Sequence, residues 1–174
     1  FVNPSESFFY SKSKLLYGWY EARKSINSTD TVYVVEGYAD VWAMHRAGLT
    51  NTVAHCGKFI TQGQMAILSK ACGNLIFLLE DNEAVAGYEK CLADALKLGF
   101  AVKVCDLRVA KGKRDADDLW KEVMGGMFTD LEDMQNEFSA VIRTHTKDGI
   151  EFSIGQLEAL WASPSNHGKA VEEI

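Results

Sequence analysis

The chain has 174 residues, 47% of them hydrophobic and 24% charged, enough apolar material for one packed domain of ordinary size with a small appendage. Its formal net charge of −6 argues against a protein that grips nucleic acid by bulk electrostatics alone. No run approaches the ~18 apolar residues of a membrane span, and the opening residues lack the basic-then-apolar order of a secretion signal.

In chain order, "KSKLLYGWYEARKSI" (12–26) repeats apolar residues at helical spacing through Gly18, which predicts a lead-in helix followed by the turn "NSTD". Four strand-like runs come next: "TVYVVE", "NTVAHC", "NLIFLLE" and "FAVKVCDL". Three segments of helical period separate them, "ADVWAMHRAGL", "TQGQMAILSKAC" and "VAGYEKCLADALKLG", and Gly48, Gly73 and Gly99 stand where helix C-caps belong. This alternation predicts an α/β fold with a parallel sheet flanked by helices, its strands continuous in apolar residues because both faces are covered. From Asp115 onward no strand is predicted. "DADDLWKEVM", "GGMFTDLEDMQNEFSAVIRTH" and "EFSIGQLEALWASPSNHGKAVEEI" read as helices, with the polar "TKDG" between the last two. The expected organisation is a lead-in segment over 1–29, a sheet domain over 30–122, and a helical appendage over 123–174 that ends inside a periodic run.

The four cysteines, Cys56, Cys72, Cys91 and Cys105, have no CxxC or CxH spacing, which argues against zinc and for reduced, mostly buried thiols in a cytoplasmic-type compartment. "GK" at 57–58 lacks the upstream glycine of a P-loop. The aromatics Tyr10, Tyr17, Trp19 and Tyr20 read as core residues in preference to a base-stacking set.

Open α/β sheets gather functional groups at the carboxyl ends of their strands. Glu36 follows "VYVV", Asp81 and Glu83 follow the strand "NLIFLLE", and Asp115 and Asp117 lie a few residues after "VKVCDL". Asp40 falls one helical turn beyond Glu36. A single acid at such a place is commonly a helix cap. Six are harder to explain, because two carboxylates 4 Å apart repel by roughly 4 kcal/mol at an effective dielectric near 20. Hard divalent cations relieve that repulsion, and phosphoryl transfer is the chemistry that most needs them.

"VVEGYADVWAM", "DNEAVAG" and "DADDLW" resemble, in order and βα context, the three acidic motifs of a Toprim domain. "NPSESFFYSKSKLLYGWYEARK" and "AHCGKFITQGQMAIL" are similar to the lead-in segment and inter-motif loop of bacterial and phage DnaG-type primases. The resemblance covers residues 1 to about 122. It implies the catalytic-core fragment of a primase, a metal-dependent nucleotidyltransferase that makes RNA primers on single-stranded DNA from ribonucleoside triphosphates. It implies Mg²⁺ or Mn²⁺ and no zinc in this fragment, with a replicative helicase as a further partner, in a bacterial or phage-infected cell. By position, Glu36 is the metal-linked or acid/base glutamate and Asp40 supports it. Asp81, Glu83, Asp115 and Asp117 match metal-binding acids, while Lys12, Lys14 and Lys58 fall where nucleotide phosphates are held. Departures are Glu83 for an aspartate, an extra residue before Gly87, Ala116 for a proline, and Lys58 for a small or hydroxylated residue. Alignment on the end of the strand selects Asp81 and Glu83 in preference to Asn82 and Ala84. Little priming is expected of the fragment alone. A Toprim nuclease and a non-catalytic helicase-binding module are the alternatives.

Overall fold

A computed structural model describes residues 12–109, 115–128 and 130–162. Its centre is a five-stranded sheet in the order β2-β1-β3-β4-β5, formed by Thr31–Val35, Thr52–Ala54, Asn74–Leu79, Ala101–Asp106 and Thr146–Asp148 for β1 to β5. The first four strands are parallel, as the alternation requires. The helices are α1 (Trp19–Thr29), α2 (Tyr38–Arg46), α3 (Gln62–Leu68), α4 (Asn82–Lys97), α5 (Ala116–Met124), α6 (Leu131–Thr144) and α7 (Gly149–Ala162). Among the described residues no helix is long and apolar enough to cross a membrane.

The pleat divides the core in two, because alternate strand residues point to opposite faces. Val32, Val34, Leu75, Phe77, Leu79, Val102 and Val104 meet the apolar sides of α1, α3, α4 and α7. On the other face, Val35, Ile76, Leu78 and Cys105 meet α2, α5 and α6. Of the free thiols, Cys72, Cys91 and Cys105 are buried.

Two sequence expectations are corrected. The lead-in is not one helix: a 3-10 turn (Lys12–Lys14) and α1 are separated at Gly18, whose φ of +79° breaks the spiral. Between them Tyr17 runs extended and exchanges two backbone hydrogen bonds with Ala54, each 3.0 Å. The polar stretch after α6 is also not a loop, since Thr146–Asp148 pairs antiparallel with β4. The apolar pattern missed it because an exposed three-residue edge strand needs no hydrophobic face; it covers the backbone edge that β4 would otherwise present. Asp148 then caps α7 by accepting from the N–H groups of Ile150 and Glu151 at 2.9 and 3.2 Å.

The return of α7 depends on Gly149. Its carbonyl accepts the buried Tyr88 hydroxyl at 2.6 Å, and a Cβ there would stand 2.7 Å from that oxygen and 2.9 Å from the Val102 carbonyl. Since backbone cannot yield cheaply, Gly149→Ala is expected to cost about 1–3 kcal/mol in urea unfolding. A loss below 0.5 kcal/mol would show that α7 is not held against β4 in this way.

Candidate active site

The strand order reverses between β1 and β3. After β1 the chain passes through α2, on one face, to β2; after β3 it passes through α4, on the other face, to β4. The two helices diverge from neighbouring strand ends and open a crevice at the carboxyl edge, the topological switch point of an open α/β sheet. A cavity of about 430 Å³ lies there, lined by Glu36, Gly37, Asp40, Glu80, Asp81, Asp115 and Asp118.

Each carboxylate is placed by a strand end or a helix start. Glu36, exposed, is the first residue beyond β1. Asp40, 6% exposed, accepts from the Gly37 N–H at 3.1 Å and, through its other oxygen, from the Asp117 N–H at 3.4 Å. It therefore joins the turn after Glu36 to the start of α5. Asp81 caps α4 by accepting from the Ala84 N–H at 2.9 Å, and Asp115 caps α5 by accepting from the Asp118 N–H at 2.7 Å.

Glu80 was missed by sequence reasoning. One of its oxygens, Oε1, is buried with no hydrogen-bond partner among the described residues. Burial first, then the charges of Asp40, Asp115, Glu36 and Asp81, push its carboxyl up to about 9. Asp40 is raised to about 6, again by burial first and Asp115 next. The available signal was the pleat: Glu80 continues the alternation of Ile76 and Leu78 toward the face where α2 and α5 sit.

Two sequence-selected acids stand apart from the cavity lining. Glu83 is exposed in the first turn of α4, and the Asp117 carboxylate pairs with Lys121 Nζ at 2.6 Å. Asn82 accepts from Arg108 Nη1 at 2.9 Å, while Arg108 forks onto the buried Asp106 at 2.8 and 2.9 Å. Asp106, at the end of β4, is thereby neutralised outside the cluster.

Of the basic positions, Lys58 lines a neighbouring groove. Ser13, His55, Gly57, Lys58, Phe59, Thr61 and Gln64 line a cavity of about 340 Å³. Thr61 Oγ1 donates to the Ser13 carbonyl at 2.5 Å, and Gln64 Nε2 donates to the Leu15 and His55 carbonyls at 2.6 and 3.1 Å. These bonds fix the turn that carries Lys14 beside the loop that carries Lys58. Lys58 also lines a small hollow shared with Glu36 and Glu80. The side chain of Lys12, the segment through residue 11 and residues 110–114 lie outside the described residues.

Among the described residues, no three acidic, histidine or cysteine side chains stand close enough to enclose a metal ion by themselves. The donor set still fits magnesium or manganese. Magnesium is commonly held by one or two carboxylates, with water and substrate phosphate completing its shell. The unpartnered Glu80 oxygen, amid four further carboxylates, is what an incoming cation would relieve.

The model of the Toprim-like family matches residues 33–120. A DNA primase of Borreliella burgdorferi is 30% identical over 127 residues, 70% of this chain and 23% of that protein. The chain thus spans about a quarter of that relative's length. The RNA polymerase domain of Mycobacterium tuberculosis primase DnaG superposes with a TM-score of 0.71 at 28% identity, covering 93% of this chain and 50% of that one. The same domain in complex with a double-stranded DNA oligomer carrying a 6-nucleotide overhang gives 0.69 at 26% identity, over 99% and 52% of the two chains.

Proposed function

The chain belongs to the Toprim-like family, and from that premise we propose that it is the catalytic-core segment of a DnaG-type primase, joining ribonucleotides on a single-stranded DNA template. The observation that carries the reading is the carboxylate crevice at the switch point, within a chain similar to primases along most of its length. Glu36, Glu80, Asp81 and Asp115 are the residues proposed to hold Mg²⁺ or Mn²⁺. A divalent cation there would supply positive charge to the attacking and leaving oxygens of phosphoryl transfer.

The chain's own groups divide the remaining work. Asp40 holds the turn after Glu36 against α5 and so sets where Glu36 points. Lys58, which shares a hollow with Glu36 and Glu80, and Lys14, on the turn bonded to Thr61 and Gln64, are proposed to take the phosphates of the incoming nucleotide. Asp117 acts less directly, since Lys121 already occupies its carboxylate.

Incorporation of labelled ribonucleotides on single-stranded DNA, run beside a cleavage assay, tests the reading. Glu36→Gln is expected to lower incorporation by about 10²-fold or more, the usual scale for removing one electrostatic element of a transfer site. Cleavage without incorporation would assign the crevice to a nuclease instead. In calorimetry, Asp81→Asn is expected to weaken Mn²⁺ binding more than Asp117→Asn; equal effects would mean that Asp117 abandons Lys121 for the ion.

A further inference from the structure

The exposed side of α2 carries three rings that the carboxylate crevice does not account for. Tyr38 and Trp42 stand one helical turn apart, at i and i+4, and Tyr17 reaches them from the extended segment before α1. The Tyr17 ring meets that of Tyr38 edge-on, with centroids 4.6 Å apart and planes at 66°. The indole Nε1 of Trp42 donates to the Tyr17 hydroxyl at 2.8 Å. The rings nevertheless stay open to solvent, at 37% for Tyr17, 40% for Tyr38 and 60% for Trp42.

This is an unusual use of surface tryptophan. A large apolar ring left in water forfeits the stabilisation that burial would bring. Here its single polar atom is already tied to a neighbour, so the ring is fixed while much of its surface remains uncovered. The cluster also has a position. Gly37, immediately before Tyr38, lines the carboxylate crevice, so the rings begin where the crevice ends. On α1, Tyr20 is 73% exposed with the Arg23 guanidinium 4.6 Å from its ring centroid, and Lys24 follows. Aromatic surface therefore adjoins a site whose own charge is negative, and α1, the helix that follows Tyr17, carries positive charge at Arg23 and Lys24.

We propose that Tyr17, Tyr38 and Trp42 form a stacking platform for a base of single-stranded DNA passing the mouth of the crevice. The inference rests on the reading of that crevice as a nucleic-acid site. Every base presents a π face, so a pre-oriented aromatic set binds single strands with little regard to sequence. Fixing the rings beforehand reduces the side-chain entropy lost on binding. Arg23 and Lys24 supply the charge that the adjoining phosphates need.

Fluorescence anisotropy of the full chain with labelled oligo(dT), in EDTA and without nucleotides, tests the platform independently of transfer. Trp42→Ala is expected to weaken binding about 5- to 100-fold. The salt dependence should keep its slope, because no phosphate contact is lost. Tyr17→Phe, which keeps a ring but removes the acceptor for the indole, should lose less. An abasic oligonucleotide of the same length should bind the wild-type chain more weakly, with no further loss on Trp42→Ala. An unaltered melting temperature for each variant checks that the fold is kept.

The proposal is overturned if Trp42→Ala binds oligo(dT) like wild type, as it would if the rings served a protein partner. It is also overturned if the loss is equal on the abasic strand, or if the wild-type chain does not bind oligo(dT). A stacking effect in a chain that fails to incorporate ribonucleotides would retain the platform and remove only the transfer reading.

Discussion

Glu80→Gln is expected to stabilise the cation-free protein at about pH 9 while weakening its hold on divalent metal. The folded-state carboxyl of Glu80 sits near 9, above its ordinary value of 4.5, so the folded chain keeps a proton that the unfolded chain releases. That contribution is complete below about 4.5 and is lost as pH rises through about 9. Asp40 behaves alike over a lower window, between its ordinary 3.8 and about 6. Stability without metal should therefore decline from weakly acidic to alkaline pH. Glutamine at position 80 keeps the shape and cannot ionise, so it removes the upper part of that decline. The difference at pH 9 should amount to a few kcal/mol, on the order of 10 °C in Tm for a chain of this size. Adding Mn²⁺ should reverse the order, because the cation favours the ionised wild-type carboxylate and stabilises by linkage. Thermal melts of both proteins from about pH 5 to 9, with EDTA and with Mn²⁺, provide the measurement. Parallel curves would remove Glu80 from the site.

Phe138→Ala is expected to cost about 3–5 kcal/mol, the range for deleting a fully buried aromatic side chain. Phe138 is 0% exposed on α6 and meets Trp120 of α5 edge-to-face, with centroids 5.8 Å apart, beside the equally buried Ile142. Through α5 this contact supports Asp115, so the variant should also weaken Mn²⁺ binding at temperatures where it remains folded. Met127→Ala, at a fully exposed position, serves as the control and should stay within about 0.5 kcal/mol. Urea unfolding decides the matter. A small loss at Phe138 would mean that α6 packs loosely and that the start of α5 is positioned from elsewhere.

Both predictions concern residues that the linear pattern treats poorly. Phe138 appears in it as one apolar residue of a helical appendage, with no sign that it closes one face of the sheet. Glu80 appears as the last letter of an apolar run, next to the aspartate that alignment on the strand end selects as a ligand. The aromatic residues divide in the same manner. Trp19 packs against the core as expected, whereas Tyr17 and Tyr20 remain exposed and Tyr10 lies outside the described residues.

What the sequence determined by itself was the parallel α/β core and the edge at which the acids collect. Both follow from local rules. Apolar runs alternating with helical periods admit few packings, and capping aspartates mark helix starts wherever the helices finally lie. The tertiary structure alone decided which carboxylates face one another. Glu80 and Asp81 are adjacent in sequence and line one cavity, yet the fold buries a Glu80 oxygen without a partner and makes Asp81 the cap of α4. Distant partners decided the others: Lys121 occupies Asp117, Arg108 neutralises Asp106, and the edge of β4 makes a strand of the polar Thr146–Asp148. Such outcomes depend on which backbone edges and charges meet in space, and hydrophobic periodicity carries no record of those encounters.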